Sequence, residues 1–316
     1  MKSGWRLPAV VFGSAFCMLT LPMLAPGDSG NEERDIRPDG KGIGSLLSPR
    51  RGDNNGREAQ PGRGGGGGAS ANLISYHGGP VMLGTVNVYY IWYGNWSGNS
   101  ATNILTDFAS SLGGSPYFNI NTTYYNGSNT HVSNSVAYSG STTDSYSHGT
   151  TLTDADIQGI VSAAITGGKL PGNPNGVYFV LTSKDVAEKS GFCTQYCAWH
   201  TYGTITGTNI KYAFVGNADR CPNSCEAQTS SPNGNAGADA MASVIAHELE
   251  EMVTDPNQNA WYDGHGEENA DKCAWTYGTV STASNGSFYN MILGARQFLI
   301  QRNWLNVGSG SCALSY

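Results

Sequence analysis

Charge is scarce in this sequence, and positive charge is the scarcer sign. Only 13% of the 316 residues are Asp, Glu, Lys or Arg. From residue 72 onward, eight Lys and Arg face seventeen Asp and Glu, which leaves that part at a net −9. So acidic a body argues against a nucleic-acid surface, which needs clustered Lys and Arg. No Gly-x-Ser-x-Gly elbow occurs in a strand-turn-helix context, so serine-nucleophile chemistry is unsupported. Long apolar runs are also missing after the first residues. The one present, Leu7 to Ala25, is broken by Pro8, Gly13, Ser14 and Pro22, which makes a poor membrane helix.

That opening run has the layout of a signal peptide over residues 1–27: Lys2 and Arg6 precede it and Pro26-Gly27-Asp28 turns polar. The expectation is a secreted chain with no stable membrane span after processing. Residues 28–71 are charged, rich in Gly and Pro and nearly free of aromatics, and read as a disordered linker or pro-region. The folded body is expected over 72–316. Cysteine usage fits an oxidising compartment. Seven are present, and Cys17 falls inside the leader, leaving Cys193, Cys197, Cys221, Cys225, Cys273 and Cys312. Three disulfides are expected, with the 193/197 pair joined to the 221/225 pair and Cys273 to Cys312; a four-thiolate zinc site is the alternative. Asn95, Asn121, Asn126 and Asn285 stand in glycosylation sequons.

Val86–Tyr93 and Val177–Thr182 are dense in β-branched and aromatic residues and read as buried strands. Cys197–Tyr202 and Ile210–Val215 read as two more, joined by a Gly-containing turn. Ile104, Leu105, Phe108 and Leu112 recur at helical spacing. Thr153-Asp154-Ala155-Asp156 resembles a capping box ahead of Ile157, Ile160, Val161, Ala164 and Ile165, with Gly167-Gly168 as the stop. Residues 113–150 read as loops with an edge strand near Val132–Tyr138, and a helix is expected over Asn235–Val253. The order predicts an α/β fold: a mixed sheet packed by helices, disulfide-stabilised, with the architecture of zincin-like metallopeptidases by analogy.

The last of these helices carries the chemistry. In Ala246-His247-Glu248-Leu249-Glu250-Glu251, His247 and Glu251 stand four residues apart and lie one above the other on a helix. This is His-Glu-x-x-His with the second His replaced by Glu251, and carboxylate is a legitimate zinc ligand. Glu248 then takes the general-base position. An isolated pattern of this kind is as a rule a solvated acidic face. What favours a metal is the density of ligand types that follows: Asp255, Asp263, His265, Glu267, Glu268 and Asp271. The expected set is His247, Glu251 and Glu268 on zinc, with Asp271 in support and Asp255 or His265 as alternatives. An oxygen-rich calcium site is the rival for the same stretch.

Tyr76-His77-Gly78-Gly79-Pro80, Ile91-Trp92-Tyr93-Gly94, Val180 to Val186, Gly191-Phe192-Cys193, Phe214-Val215-Gly216-Asn217, Cys221-Pro222, Thr254-Asp255-Pro256 and Ser287-Phe288-Tyr289-Asn290 together resemble the EXORDIUM (phosphate-induced protein) family. The resemblance implies an extracellular, cell-wall-associated protein linked to growth in plants, without an established enzymatic activity. His247-Glu248 and Glu251 before the Thr-Asp-Pro turn depart from the plant pattern and resemble a non-plant-like branch. Two functions therefore stand side by side. One is a secreted zinc-dependent hydrolase of peptidase type acting on an extracellular polypeptide. The other is a non-catalytic protein of the cell surface or wall that binds a wall polymer. A glycosidase using two of the carboxylates is a minor third.

Overall fold

The computed structural model describes Met1, the two-residue strand Glu32–Glu33 and residues 73–316. Apart from Met1, the expected signal peptide lies outside the described residues, as does the 28–71 segment apart from Glu32–Glu33.

The centre of the body is a five-stranded sheet. Its strands are β1 (Val86–Tyr93), β2 (Val136–Asp144), β3 (Gly176–Thr182), β4 (Ala198–Ile205) and β5 (Thr208–Val215), in the spatial order β2-β1-β3-β5-β4. The first four in that order run parallel, and β4 returns antiparallel along the edge. β1 and β3 are buried along nearly their whole length, as their continuous runs of aromatic and β-branched residues require of strands covered on both faces. The β4–β5 hairpin turns on Thr206 and Gly207, both at positive φ, the conformation whose twist matches the flanking strands.

β2 was not expected in this form. The sequence points to a strand near Val132–Tyr138; the structure instead lays a nine-residue strand, Val136–Asp144, alongside β1. Its Ser- and Thr-rich sequence carries little strand propensity, and pairing with the buried β1 supplies what propensity does not. The register skips Ser139, where Val88 faces Tyr138 and Tyr89 faces Gly140. Gly140 sits at φ 135°, a value that suits a residue without Cβ at such a bulge.

Three helices pack around the sheet: α1 (Ala101–Leu112), α2 (Asp154–Thr166) and α3 (Ala236–Thr254). α1 buries Ile104, Leu105, Phe108 and Leu112, the stripe its spacing defines. α2 begins with a complete capping box. The Asp156 backbone N–H donates to the Thr153 hydroxyl at 3.3 Å, and the Thr153 N–H donates back to the Asp156 carboxylate at 2.8 Å. The Thr153 hydroxyl and N–H also hold the Asp156 carboxyl below its ordinary range. Thr153→Ala is expected to cost about 1 kcal/mol, read as a lower denaturant midpoint with an unchanged slope.

Disulfides join Cys193 to Cys221, Cys197 to Cys225 and Cys273 to Cys312. The first two fasten the start of β4 to the segment leading into α3. Near the start of that helix Gly237 stands so close to Asp219 that a Cβ would meet its carboxylate at 2.5–2.7 Å. Among the described residues, no helix is long and apolar enough to cross a membrane.

Candidate metal centre

α3 is the element on which the site is built. Its N-cap, Asn235, accepts from the Ala238 N–H at 3.0 Å, and small residues at Ala236, Gly237, Ala238, Ala240 and Ala242 let the helix approach its neighbours closely. The consequence is burial on almost every side. His247 is 1% exposed, and Glu248, Glu250 and Glu251 are each 0%. A solvated acidic face is therefore ruled out, and the charge on this helix lies in the interior.

One half of the site joins α3 to the loop after it. His247 Nε2 lies 3.0 Å from Glu251 Oε1 and 3.6 Å from Asp271 Oδ1. These distances are short, yet neither His247 nitrogen makes a hydrogen bond, and Asp271 Oδ1 makes none either. Buried polar atoms are nearly always paired, so these three side chains need either a shared proton or a cation between them. Asp271 also donates its backbone N–H to Glu251 Oε1 at 3.1 Å, which fixes the carboxylate's orientation.

The other half comes from a residue that sequence reasoning missed. His200, on edge strand β4, is 1% exposed; its Nδ1 lies 3.1 Å from Glu248 Oε2 and 3.2 Å from Glu251 Oε2. Its Nε2 is 3.5 Å from Glu268 Oε2. The available signal was modest: a histidine inside a stretch already read as a strand, where a solvated role is hard to sustain.

The remaining candidates distribute as follows. Glu268, expected on the metal with His247 and Glu251, lies against His200, and Asp271, expected in support, is the carboxylate that reaches His247. Asp255 is buried, but its Oδ1 accepts the backbone N–H groups of Asn259 and Ala260 at 2.5 and 2.7 Å, closing the turn after α3. His265 does not join the cluster: its side chain is 64% exposed, in the turn that ends at Gly266. Glu250 faces away and accepts from Tyr117 at 3.0 Å. Asn121 is fully buried, with its Oδ1 accepting from Asn269 and Asn303, and leaves no room for a glycan; Asn95 and Asn285 are exposed and Asn126 is half-buried. Tyr117 and Tyr124, within the 113–150 stretch, are interior as well.

The electrostatics follow from crowding. Burial raises the carboxyls of Glu248, Glu268 and Asp271 above the ordinary range, and neighbouring carboxylates push Glu268 and Asp271 further in the same direction. For Glu251 burial also acts upward, but His247 and His200 outweigh it and hold this carboxyl low. Burial pulls both imidazoles down, and the surrounding carboxylates reverse that and raise them well above the ordinary value. Two unit charges of like sign 4 Å apart repel by about 4 kcal/mol even at an effective dielectric of 20. Four carboxylates gathered here therefore need protons or cations.

Lys272 braces the loop that delivers Glu268 and Asp271. Its Nζ donates to Asp263 Oδ2 at 2.8 Å and lies 5.3 Å from the centre of the Trp304 ring. Asp263 Oδ1 accepts the N–H groups of His265 and Glu267, and Cys273 anchors the end of the loop to Cys312.

Fold and site together define a disulfide-bonded α/β protein whose longest helix carries an internal histidine–carboxylate cluster. The sequence profile described as "Phosphate-induced protein 1 conserved region" matches residues 74–313, and the chain belongs to that family, the EXORDIUM and phosphate-induced proteins. Protein EXORDIUM-like 3 of Arabidopsis thaliana is 35% identical, over 76% of this chain and 83% of its own. EXORDIUM-like 5 of the same plant is 34% identical, over 74% and 76%. PHOSPHATE-INDUCED 1 of Nicotiana tabacum is 28% identical, over 65% and 73%. No solved structure matches the chain.

Proposed function

We propose that this is an extracellular, non-catalytic protein of the cell surface or wall, with a closed zinc site at its centre. The observation that carries the reading is the burial of the cluster. Structural zinc sites are closed, whereas catalytic ones keep a position open to water and substrate. With His247, Glu248 and Glu251 at 1% exposure or less, and Asp271's side chain at 5%, no such position faces solvent. A surface cavity of about 500 Å³, lined by Ser111, Tyr117, Asn290, Ile292 and Leu293 among others, shares no residue with it.

His247, Glu251 and Asp271 would hold the ion, and a water enclosed with it would complete the four positions of a closed site. Their donor set, one imidazole nitrogen and two carboxylate oxygens, suits zinc; calcium prefers six to eight oxygens and would leave the imidazole unused. There the ion would neutralise α3's charge and fasten the helix to the 263–273 loop. The three disulfides fit an oxidising compartment, and a wall polymer is the proposed partner.

A zincin-like hydrolase is the second reading, favoured by the mixed sheet with an antiparallel edge strand beside the His-Glu helix. Its test is a peptide-hydrolysis assay on the zinc-loaded chain, alongside co-sedimentation with insoluble wall glycans. Sedimentation without turnover is the expected result. Zinc-dependent cleavage that disappears in Glu248→Gln would replace the binding reading with the hydrolase.

A further inference from the structure

We infer that the cluster holds two divalent cations, one on each oxygen of the Glu251 carboxylate. This rests on the zinc reading above and adds a second ion to it. The first position uses Glu251 Oε1 with His247 and Asp271. The second uses the other oxygen: His200 Nδ1, Glu248 Oε2 and Glu251 Oε2 lie within 4.8 Å of one another, with His200 at 3.1 and 3.2 Å from the two carboxylates. Ligands about 2.0–2.2 Å from one zinc in a tetrahedral arrangement stand roughly 3.3–3.6 Å apart, so the two His200 distances would open by a few tenths of an ångström around an ion.

Three features beyond proximity point to an ion here. Glu251 Oε2 and Glu248 Oε1 are buried on side chains of 0% exposure and make no hydrogen bond. Glu268 Oε2 lies 3.5 Å from the opposite nitrogen of His200. His200 Nδ1 and Glu248 Oε2 share a hydrogen bond at 3.1 Å whose proton an ion would replace, and a carboxylate beside Nε2 favours the tautomer that would then turn the Nδ1 lone pair to the metal. The third is charge. Metal binding would leave the imidazoles neutral and the four carboxylates (Glu248, Glu251, Glu268 and Asp271) at −4, which two dications balance and one does not; without ions, protons on the raised imidazoles and carboxyls do the balancing. Bridging carboxylates are a regular part of two-metal centres. Here the second ion would fasten edge strand β4 to α3, as the first fastens the loop.

The test is metal stoichiometry of the purified, disulfide-intact chain after loading with zinc and removal of loosely bound ion. Two zinc ions per chain are expected, falling to one in His200→Ala. One zinc in the wild type, unchanged by His200→Ala, overturns the pair and leaves the single site standing, with a protonated His200 between Glu248 and Glu251. No zinc at all overturns both readings. Should His200→Ala fail to fold, manganese loading of the wild type decides. An exchange-coupled pair signal in electron paramagnetic resonance is the expected result, and the hyperfine pattern of an isolated ion overturns the proposal.

Discussion

Chelation of the zinc-loaded chain at neutral pH is expected to lower its Tm by about 8–16 °C. An ion that binds only the folded state stabilises it by about 4 kcal/mol when present at a thousand times its Kd. For a body of this size each kcal/mol corresponds to roughly 2–4 °C. The effect should reverse when zinc is restored, and magnesium should restore little of it, because a site built on imidazole nitrogen suits zinc and not a hard oxygen-seeking ion. A differential scanning measurement on loaded and chelated protein reads it directly. An unchanged Tm in chain shown to be metal-free would mean that protons alone balance Glu248, Glu251, Glu268 and Asp271, and the cation would have to be abandoned.

Lys272→Met should cost about 3 kcal/mol, a loss of roughly 6–12 °C in Tm. Asp263 has a side chain of 0% exposure and Lys272 one of 9%, so removing the ammonium leaves a buried carboxylate with the N–H groups of His265 and Glu267 and the more distant His265 ring, 3.8 Å away. Removing both charges, in Lys272→Met with Asp263→Asn, should recover part of the loss, since the penalty lies in the stranded charge. The pH dependence has a definite sign. Burial pushes the Asp263 carboxyl up, but Lys272 and the two N–H groups outweigh it and hold it below its ordinary value. Its contribution is thus fully present above about pH 4, the usual aspartate value, and is lost as pH falls through the depressed one. Lys272→Met should flatten that acid-side fall. A variant as stable as the parent from pH 7 down to pH 3 would show that Lys272 does not brace the loop. Weaker zinc binding should accompany the loss, because the same loop carries Asp271.

Much of this architecture was legible because it rests on local pattern. β1 and β3 announce themselves as continuous apolar runs, α1 by Ile104, Leu105, Phe108 and Leu112, and α2 by Thr153 and Asp156. The half of the cluster on α3 was legible for the same reason, since His247 and Glu251 are neighbours by helical geometry. What the sequence did not reveal depends on tertiary placement. Nothing local distinguishes Glu268 from Asp271 as the carboxylate that reaches His247, for the two lie on one turn and the loop's fold decides. His200 joins the cluster because an edge strand 48 residues before Glu248 packs against the helix. β2 was misplaced because its Ser and Thr residues are held by β1 and not by their own preference.

Glu251 has a consequence for the order in which the chain assembles. It touches a strand residue about fifty positions earlier and accepts from a loop amide twenty positions later, so its surroundings exist only once strand, helix and loop have all docked. Closing loops of that length precedes any reward from the contacts they make. The cation would then be captured at the end of folding, after disulfide pairing has brought β4 to the start of α3. On the zinc reading, maturation would depend on the metal supply where the chain folds, and zinc starvation of the producing cell would appear as a lower yield of folded chain before it appears as altered behaviour of the protein.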